Sequence, residues 1–460
     1  MARCQHSLRL YGIHNVDSIP QIEGLSRDQR FALEVVAQVL PFRTNNYVVN
    51  ELIDWSDIPD DPIYQLNFMQ RAMLDPHHFD VIAALLKRNA SRAELTAEAN
   101  RIRRELNPHP DGQMTTNIPV MDDERVPGIQ HKYQETCLVF PASGQTCHAY
   151  CTFCFRWPQF VGEADLKFAT DQSRRFQDYI RKHLELTDVL FTGGDPLIMS
   201  ARKLGTFVRP LLGPGFDHIQ TIRIGTKAIA YWPYRFISDG DATDLLSLFE
   251  DVVKAGKHLA LMAHFNHWRE TSTRSSREAI RRIGNTGAEI RTQSPLIRHI
   301  NDDARVWRKM WKDQVRLGCI PYYMFVERET GANIYFSVPL ARAFRIFRAA
   351  YVRLSGLART VRGPSMSADP GKVSVDGVTT LQGEKVFVLS LIQARNPDWC
   401  MRPFFAKFDR EARWLDDLEP ALGAESFFFE RPRSRKIREK RRQKRTSLFH
   451  RNSTFFGSVS

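Results

Sequence analysis

The chain has 460 residues, of which 43% are hydrophobic, and its formal net charge is +13. This length is enough to bury a large core in two or three domains, and no apolar run approaches the roughly 20 residues that a membrane span needs. Seven cysteines, an odd number, without an apolar secretory segment argue against a disulfide framework and favour a reducing, cytoplasmic location.

The first 127 residues are predicted to form a helical region. Helical stretches at Arg27–Leu40 and Ser91–Leu106 are separated by turns that contain proline. The second stretch begins with a capping-box pattern, Ser91 followed by Glu94.

From about residue 130, short apolar runs alternate with longer amphipathic stretches at the 30- to 40-residue period of a βα unit. Six units would form an α/β fold, an open and partial (β/α)6 barrel, whose functional residues lie at the C-terminal ends of the strands. The predicted strands are Leu138–Pro141, Asp188–Thr192, Thr221–Ile224, Leu259–Ala263, Glu289–Thr292 and Tyr322–Val326.

After the barrel we predict a helix at Ala341–Leu354, an irregular stretch at Ser355–Gly371 and a strand at Lys385–Leu391. The predicted division is a helical region at 1–127, a partial barrel at 128–345, a C-terminal segment at 346–429 and a basic tail at 430–460.

The basic charge is concentrated in the tail. Residues 431–451 contain eleven Lys or Arg against one Glu, a net charge of +10, so the other 439 residues carry only about +3. A self-repelling segment without periodic apolar residues is expected to be disordered, and it could contact nucleic acid or an acidic partner.

Cys147, Cys151 and Cys154 are separated by three residues and then by two. Three thiolates on a four-iron cluster leave one iron open, and an open iron can chelate a small molecule. A zinc ion would need a fourth ligand, and His148 would crowd the metal from inside the first interval. The spacing therefore predicts a 4Fe-4S cluster, with zinc or structural cysteines as the alternatives.

A second motif, Thr192-Gly193-Gly194-Asp195-Pro196, directly follows the second predicted strand. Two glycines at a strand end let backbone approach a ligand closely enough to hydrogen-bond an amino group. On its own, this motif is as often a tight turn as a ligand loop.

Taken in order, the motifs between residues 127 and 375 resemble the lysine 2,3-aminomutase family of radical S-adenosylmethionine (SAM) enzymes. They also resemble a related enzyme that makes β-lysine for modifying elongation factor P. The segments that carry the resemblance are His131–Tyr133, Cys147–Arg156, Thr192–Pro196, Ile222–Thr226, His264–His267, Gln293–Leu296 with Asn301 and Asp302, Pro321–Tyr323 and Asp369–Lys372.

The resemblance implies a 2,3-aminomutase that converts an α-amino acid into a β-amino acid, held as an aldimine of pyridoxal 5'-phosphate (PLP). Lys372 would bind PLP, Lys132 and Tyr133 would hold its phosphate and ring, and Arg156 would bind the substrate carboxylate. The cysteines would hold the cluster, and no zinc is expected. SAM would be bound by Gly193, Gly194, Asp195, His264 and Gln293.

Departures from the family pattern concern the substrate. Lysine-acting members place two carboxylates around the substrate ammonium, but the matching positions here are Arg328 and Ser365. A cation in place of an anion disfavours lysine and favours a glutamate-like side chain. The alternatives are a shift that brings Glu327 or Glu329 into place with Asp369 as the second acid, or a PLP-phosphate role for Arg328.

Two other functional classes stay open. One is a PLP-independent radical SAM enzyme that modifies a peptide or RNA with the tail as its docking arm, in which Lys372 is a solvated loop lysine. The other is a non-enzymatic iron-sulfur protein. The expected partners of an aminomutase are an amino acid, a reductant such as flavodoxin or ferredoxin, and a second copy of the chain.

Overall fold

The structure, a computed structural model, describes residues 6–107, 117–162 and 168–430. The predicted basic tail lies outside the described residues. The helices are α1 (Arg27–Val39), α2 (Pro62–Asn67), α3 (Pro76–Lys87), α4 (Arg92–Leu106), α5 (Ser173–Lys182), α6 (Ala201–Val208), α7 (Ala228–Tyr231), α8 (Ala242–Lys254), α9 (Arg274–Asn285), α10 (Ala304–Arg316), α11 (Asn333–Phe336) and α12 (Leu340–Tyr351).

Four of the strands are only two residues long and form two small antiparallel pairs. The strands are β1 (Leu10–Tyr11), β2 (Thr44–Asn45), β3 (Val120–Met121), β4 (Glu124–Arg125), β5 (Ile129–Tyr133), β6 (Thr136–Val139), β7 (Asp188–Phe191), β8 (Thr221–Thr226), β9 (His258–His264), β10 (Glu289–Leu296), β11 (Ile320–Val326), β12 (Arg362–Ser367), β13 (Gly371–Leu381), β14 (Glu384–Ala394) and β15 (Phe404–Lys407).

The N-terminal region is helical, as the sequence predicts, and it packs on the rest of the molecule. Helix α4 begins with the predicted capping box: the Ser91 backbone N–H donates to the Glu94 carboxylate at 3.0 Å, and the Glu94 N–H donates to the Ser91 hydroxyl at 3.3 Å. Apolar residues of this region and of the central strands form one continuous core.

Strands β5 to β15 form one eleven-stranded sheet in which neighbours in space are also neighbours in sequence. Strands β6 to β12 run parallel, and β5 and β13 to β15 are antiparallel to their neighbours. Parallel neighbours require crossover connections, and a helix lies in each crossover. The mixed α/β class is confirmed, whereas the partial-barrel shape stays a prediction.

All six predicted strands of the βα units are present as β6 to β11. The sequence did not predict β5, β12 or β13, and β12 lies inside the stretch expected to be irregular. Their patterns are broken by polar residues such as Lys132 and Lys372, which face a cavity rather than a dry core. The alternation of apolar and polar residues therefore fails to predict a strand where that strand lines a cavity with polar side chains.

Strand β5, at one edge of the sheet, approaches the turn between β12 and β13. The Lys132 ammonium on β5 donates to the Ala368 carbonyl, which lies between β12 and β13. Nearby, the Arg395 guanidinium donates to the Asn117 side chain at 2.6 Å. These contacts join residues that the strand order places far apart, so the sheet is strongly curved.

The C-terminal strands β13 to β15 pack against the start of α12 in a second core, separate from the first. Among the described residues, no helix combines the length and the apolar character needed to cross a bilayer.

A buried ion pair fixes the loop after β9 against the end of β8. The Lys227 ammonium lies 2.5 Å from the Glu270 carboxylate, and the Glu270 side chain is fully buried. Glu270 also accepts the backbone N–H groups of Asn266 and His267. Removing one partner of a buried pair leaves the other charge uncompensated in a low-dielectric site.

We therefore expect Glu270→Ala to lower the free energy of unfolding by about 3–5 kcal/mol. The measurement is urea unfolding followed by circular dichroism. The control is Glu278→Ala, which breaks partly exposed pairs with Arg281 and Arg282 and should cost about 1 kcal/mol or less. Equal losses of unfolding free energy in the two variants would contradict the conclusion that the buried Lys227–Glu270 pair stabilises the fold.

Candidate functional site

A cavity of about 350 Å³ opens where the C-terminal ends of the parallel strands converge. Its wall contains Thr192 after β7, Thr226 at the end of β8, His264 at the end of β9 and Val326 at the end of β11. The cysteine loop lies across the same opening. Strands β5 to β14 all contribute residues to the wall of this cavity.

Cys147, Cys151 and Cys154 all line the cavity. Their loop is fastened to the N-terminal region, because the Tyr150 N–H donates to the Arg43 carbonyl at 2.8 Å and the Thr152 N–H donates to the Leu66 carbonyl at 3.0 Å. The helical region thus serves to hold the cysteine loop in place.

The environment of the cysteines suits metal-bound thiolates. Burial raises the pKa of each of the three thiols, that of Cys154 to about 12, so the free thiols are neutral and metal binding would release their protons.

The glycine motif packs directly beneath the cysteine loop. Gly193 has φ of +135°, and a Cβ atom on either glycine would collide with Gln145 or with the backbone of Thr146. The Asp195 N–H donates to the Thr146 carbonyl at 2.7 Å. The glycines thus allow the turn after β7 to support the residue that precedes Cys147.

The Asp195 carboxylate is occupied by the protein itself. It accepts the Leu197 and Lys227 backbone N–H groups at 3.0 and 2.8 Å and the Thr226 hydroxyl at 2.8 Å. Burial raises the pKa of this carboxyl, although these hydrogen bonds oppose the shift. Asp195 therefore shapes the turn, and a ligand's amino group would meet mainly backbone here.

His264 and Gln293 lie side by side in the cavity wall, as paired positions of β9 and β10. Burial, with the nearby positive charge of Lys227, lowers the pKa of His264 to about 3. Its neutral ring stacks on Phe153 of the cysteine loop at a centroid distance of 5.9 Å.

Lys372 is the second residue of β13, so it belongs to a strand and not to the loop that the Pro-Gly sequence suggested. Its ammonium donates to the Gln393 side chain at 2.9 Å and lies 4.5 Å from the centroid of the Tyr323 ring. Burial, reinforced by the positive charges of Arg223, Lys132 and Arg362, lowers the pKa of Lys372 to about 7. A substantial fraction of this amine is therefore neutral near pH 7.

Lys132 and Tyr133 come to the same end of the cavity from β5. The Lys132 ammonium lies 5.6 Å and the Lys372 ammonium 5.9 Å from the centroid of the Tyr133 ring. An aromatic ring with two amines near it, one of them with a pKa of about 7, is an arrangement that can hold a planar aldehyde cofactor with an anionic group.

A pair of arginines occupies another part of the wall. The Arg156 and Arg328 guanidinium carbons each lie 5.0 Å from the centroid of the Phe155 ring. Burial, and next the positive charge of Arg328, lowers the pKa of Arg156 to about 10. Two like charges held around one ring favour an anionic ligand.

The other residues considered for substrate binding differ in whether they line the cavity. Glu327 is buried and lines the cavity beside Arg328. Asp369 is outside the wall, largely exposed and paired with Arg395 at 3.0 Å. Ser365 is fully buried and is also absent from the wall, because it pairs with Ser374, two residues along β13 from Lys372. The structure does not bring Ser365 to the cavity, whereas Ser367 does line it.

Sequence reasoning gave no role to several residues of the site, among them Phe155, Lys227 and Gln393 in the cavity wall and Tyr231 beside Cys151. Phe155 lies within the cysteine motif and Lys227 directly follows the Ile222–Thr226 motif, which is a usable signal. Tyr231 and Gln393 have none, since only the fold brings them to Cys151 and Lys372.

The sequence is similar to that of a protein of Aquifex aeolicus (strain VF5) that carries the provisional name L-lysine 2,3-aminomutase. The two are 32% identical over 396 residues, which are 86% of this chain and 92% of that protein. The L-lysine 2,3-aminomutase of Fusobacterium nucleatum subsp. nucleatum is 24% identical over 310 residues, 67% of this chain and 68% of that enzyme. No protein-family model matches the sequence.

Among solved structures, a radical SAM methyltransferase from Sphaerobacter thermophilus superposes with a TM-score of 0.36 at 15% identity, covering 63% of this chain and 94% of that one. A superposition this weak supports no argument about the fold or the site.

We expect Cys147→Ala, Cys151→Ala and Cys154→Ala each to prevent assembly of the four-iron cluster, because each removes one of three thiolate ligands. Iron and acid-labile sulfide are measured after anaerobic reconstitution. The matched control is Cys319→Ala, which removes a buried cysteine outside the cavity and should leave the iron content unchanged. Full iron content in any of the three variants would contradict the assignment.

Proposed function

The chain belongs to the lysine 2,3-aminomutase family, and from that premise we propose that it is a radical SAM 2,3-aminomutase that also uses PLP. Family membership and the cysteine motif support an enzyme of the radical SAM type, with a 4Fe-4S cluster and SAM. The proposal adds the reaction, in which the amino group of an α-amino acid moves to the β-carbon, and the residues that carry it out.

One observation carries the proposal: the three cysteines and Lys372 line the same cavity. An iron-sulfur protein that only binds a cluster has no use for a buried lysine of lowered pKa in the same cavity. A radical enzyme that keeps its substrate on PLP needs both groups within one enclosure.

The cluster and SAM would supply the radical when bound, and PLP would supply a ring that delocalises it. The protein's own residues bind and orient. Lys132 and Tyr133 would hold PLP, His264 and Gln293 would line the SAM site, and the backbone at Gly193 and Gly194 would approach the amino group of SAM. Buried walls would exclude water from the reacting atoms.

Lys372 is suited to bind an aldehyde, because only the neutral amine is a nucleophile. At its ordinary pKa of 10.5, a lysine would be almost entirely protonated near pH 7, whereas the pKa of about 7 leaves a large neutral fraction. The Gln393 side-chain oxygen accepts a hydrogen bond from this amine and fixes its position.

We further propose that the substrate is a dicarboxylic, glutamate-like amino acid. Arg156 would bind its α-carboxylate and Arg328 its side-chain carboxylate, since both guanidinium groups lie near the Phe155 ring. A lysine substrate would bring an ammonium beside the Arg328 guanidinium, which repels it. Glu327, which also lines the cavity, is the acid that would have to bind the ammonium of such a substrate instead. Asp369 cannot serve as the second acid while it is paired with Arg395 outside the wall.

The wider organisation follows from the same family assignment. The sheet would form a partial (β/α)6 barrel spanning 128–345, flanked by the helical region at 1–127 and the PLP-binding segment at 346–429. The expected partners are a flavodoxin or ferredoxin reductant and a second copy of the chain, and the expected location is the cytoplasm.

Borohydride treatment of the enzyme reconstituted with PLP should give a pyridoxyl adduct on Lys372, mapped by peptide mass spectrometry. Because the pKa of Lys372 is about 7, adduct formation should increase with pH around that value rather than near 10. Lys372→Ala should abolish the adduct, while Lys385→Ala, on the neighbouring strand β14, should retain it. Absence of any adduct from the unmodified chain would instead favour the PLP-independent radical SAM enzyme.

The reconstituted enzyme should convert glutamate to its β-isomer in preference to lysine. Arg328→Asp should lower kcat/KM for glutamate at least about tenfold, the equivalent of 1.4 kcal/mol, and should raise it for lysine. The products are separated and quantified by mass spectrometry. The charge-matched control is Arg353→Asp at an exposed position, which should leave the preference unchanged. A preference of the unmodified enzyme for lysine would refute the dicarboxylate assignment.

A further inference from the structure

Tyr231 is a buried phenol beside one of the cluster cysteines. It ends α7, directly after β8, and only 1% of its surface is exposed. Its hydroxyl oxygen lies 3.5 Å from the Cys151 sulfur. Neither the motifs nor the proposed reaction gives this residue a role.

We propose that Tyr231 is a positioning residue that donates a hydrogen bond to the Cys151 ligand sulfur and thereby raises the reduction potential of the cluster. The inference depends on the cluster alone. It is independent of PLP, of the substrate and of the type of rearrangement.

The direction of the hydrogen bond follows from the chemistry of the ligand. A cysteine bound to iron is a thiolate and has no proton to donate, so in the contact with Tyr231 the phenol must be the donor. Asn67 supports this orientation, because its side-chain nitrogen lies 3.5 Å from the phenol oxygen and can donate to it. That nitrogen also donates to the Ile63 carbonyl at 2.9 Å, which fixes the orientation of the amide.

The backbone around Tyr231 is tied to the cysteine loop as well. The Asn45 side-chain nitrogen donates to the Tyr231 carbonyl at 2.9 Å and to the His148 carbonyl at 3.0 Å. Asn45 is fully buried, and its side-chain oxygen accepts the Val48 N–H at 2.9 Å. The Asn45 side chain therefore sets the distance between the Tyr231 backbone and the cysteine loop.

The effect on the cluster has a definite sign. Reduction adds a negative charge, and hydrogen bonds to the sulfurs stabilise the more negative state. The Lys227 ammonium, 4.4 Å from the centroid of the Tyr231 ring, acts in the same direction. Glu270, 2.5 Å from this ammonium, offsets part of its charge, and the hydrogen bond from Tyr231 adds a contribution of its own.

The test compares the unmodified enzyme with Tyr231→Phe, each reconstituted anaerobically without SAM, PLP or substrate. The cluster midpoint potential is measured by redox titration followed by electron paramagnetic resonance. Tyr231→Phe should lower the equilibrium constant for reduction about tenfold, a shift of about 59 mV to more negative potential for a one-electron couple. In deuterated water, the reduced cluster should also lose its coupling to one exchangeable deuteron.

Tyr47→Phe is the matched control, because Tyr47 is 2% exposed and its hydroxyl bonds Thr273 at 2.7 Å, not a cysteine. It should leave the potential unchanged. An unchanged potential in Tyr231→Phe at full iron content would overturn the proposal, and so would an equal shift in both variants.

If Tyr231→Phe fails to assemble the cluster, the proposal is tested with Asn67→Leu instead. This variant keeps the phenol but removes the donor that orients it, so the potential should shift in the same negative direction by a smaller amount. No shift in Asn67→Leu would then overturn the proposal. Failure of the PLP or substrate experiments would leave all of these measurements unaffected.

Discussion

The buried ammonium of Lys227 holds together the strand ends on which the site depends. Its side chain joins Glu270 and Asn266 from the loop after β9, and its backbone N–H donates to Asp195 in the turn after β7. Tyr231, four residues later in sequence, then contacts Cys151. A buried lysine is stable only when its charge is matched, so these loops cannot move apart without exposing an uncompensated charge.

The charged residues of the cavity have different roles, which follow from how their charges are paired. Asp195 lies in the wall, but its oxygens are occupied by backbone and hydroxyl donors, so it contributes shape rather than a free anionic site. Lys132 lines the same cavity as Lys372. Burial, and after it the positive charges of Arg223, Lys132 and Arg362, lowers the pKa of Lys372 to about 7, so a large fraction of this amine is neutral while the other cations can attract carboxylate or phosphate groups.

Local sequence signals predicted the parts of the site that are short in sequence: the cysteine loop, the turn at Gly193 and Gly194, and the six central strands. Each has its own spacing or periodicity, and each is present at nearly the expected bounds. Lys132 and Lys372 entered only through a family resemblance, because 240 positions separate them and a curved sheet brings them together. Tyr231 has no pattern of its own, and its role follows from a contact of 3.5 Å that composition and periodicity do not encode.

The cysteine loop also links the cluster to the proposed substrate site. Cys154 and Arg156 are two residues apart, and the Trp157 N–H donates to the Cys154 carbonyl at 3.1 Å, which makes the intervening turn rigid. The Trp157 ring N–H donates to the Thr330 hydroxyl at 3.0 Å, two residues beyond Arg328. One short segment therefore sets the distance from a cluster ligand to both arginines. In the proposed reaction a radical removes a hydrogen from a substrate carbon, which requires a fixed distance between them, and this loop with its contact to the end of β11 would set that distance.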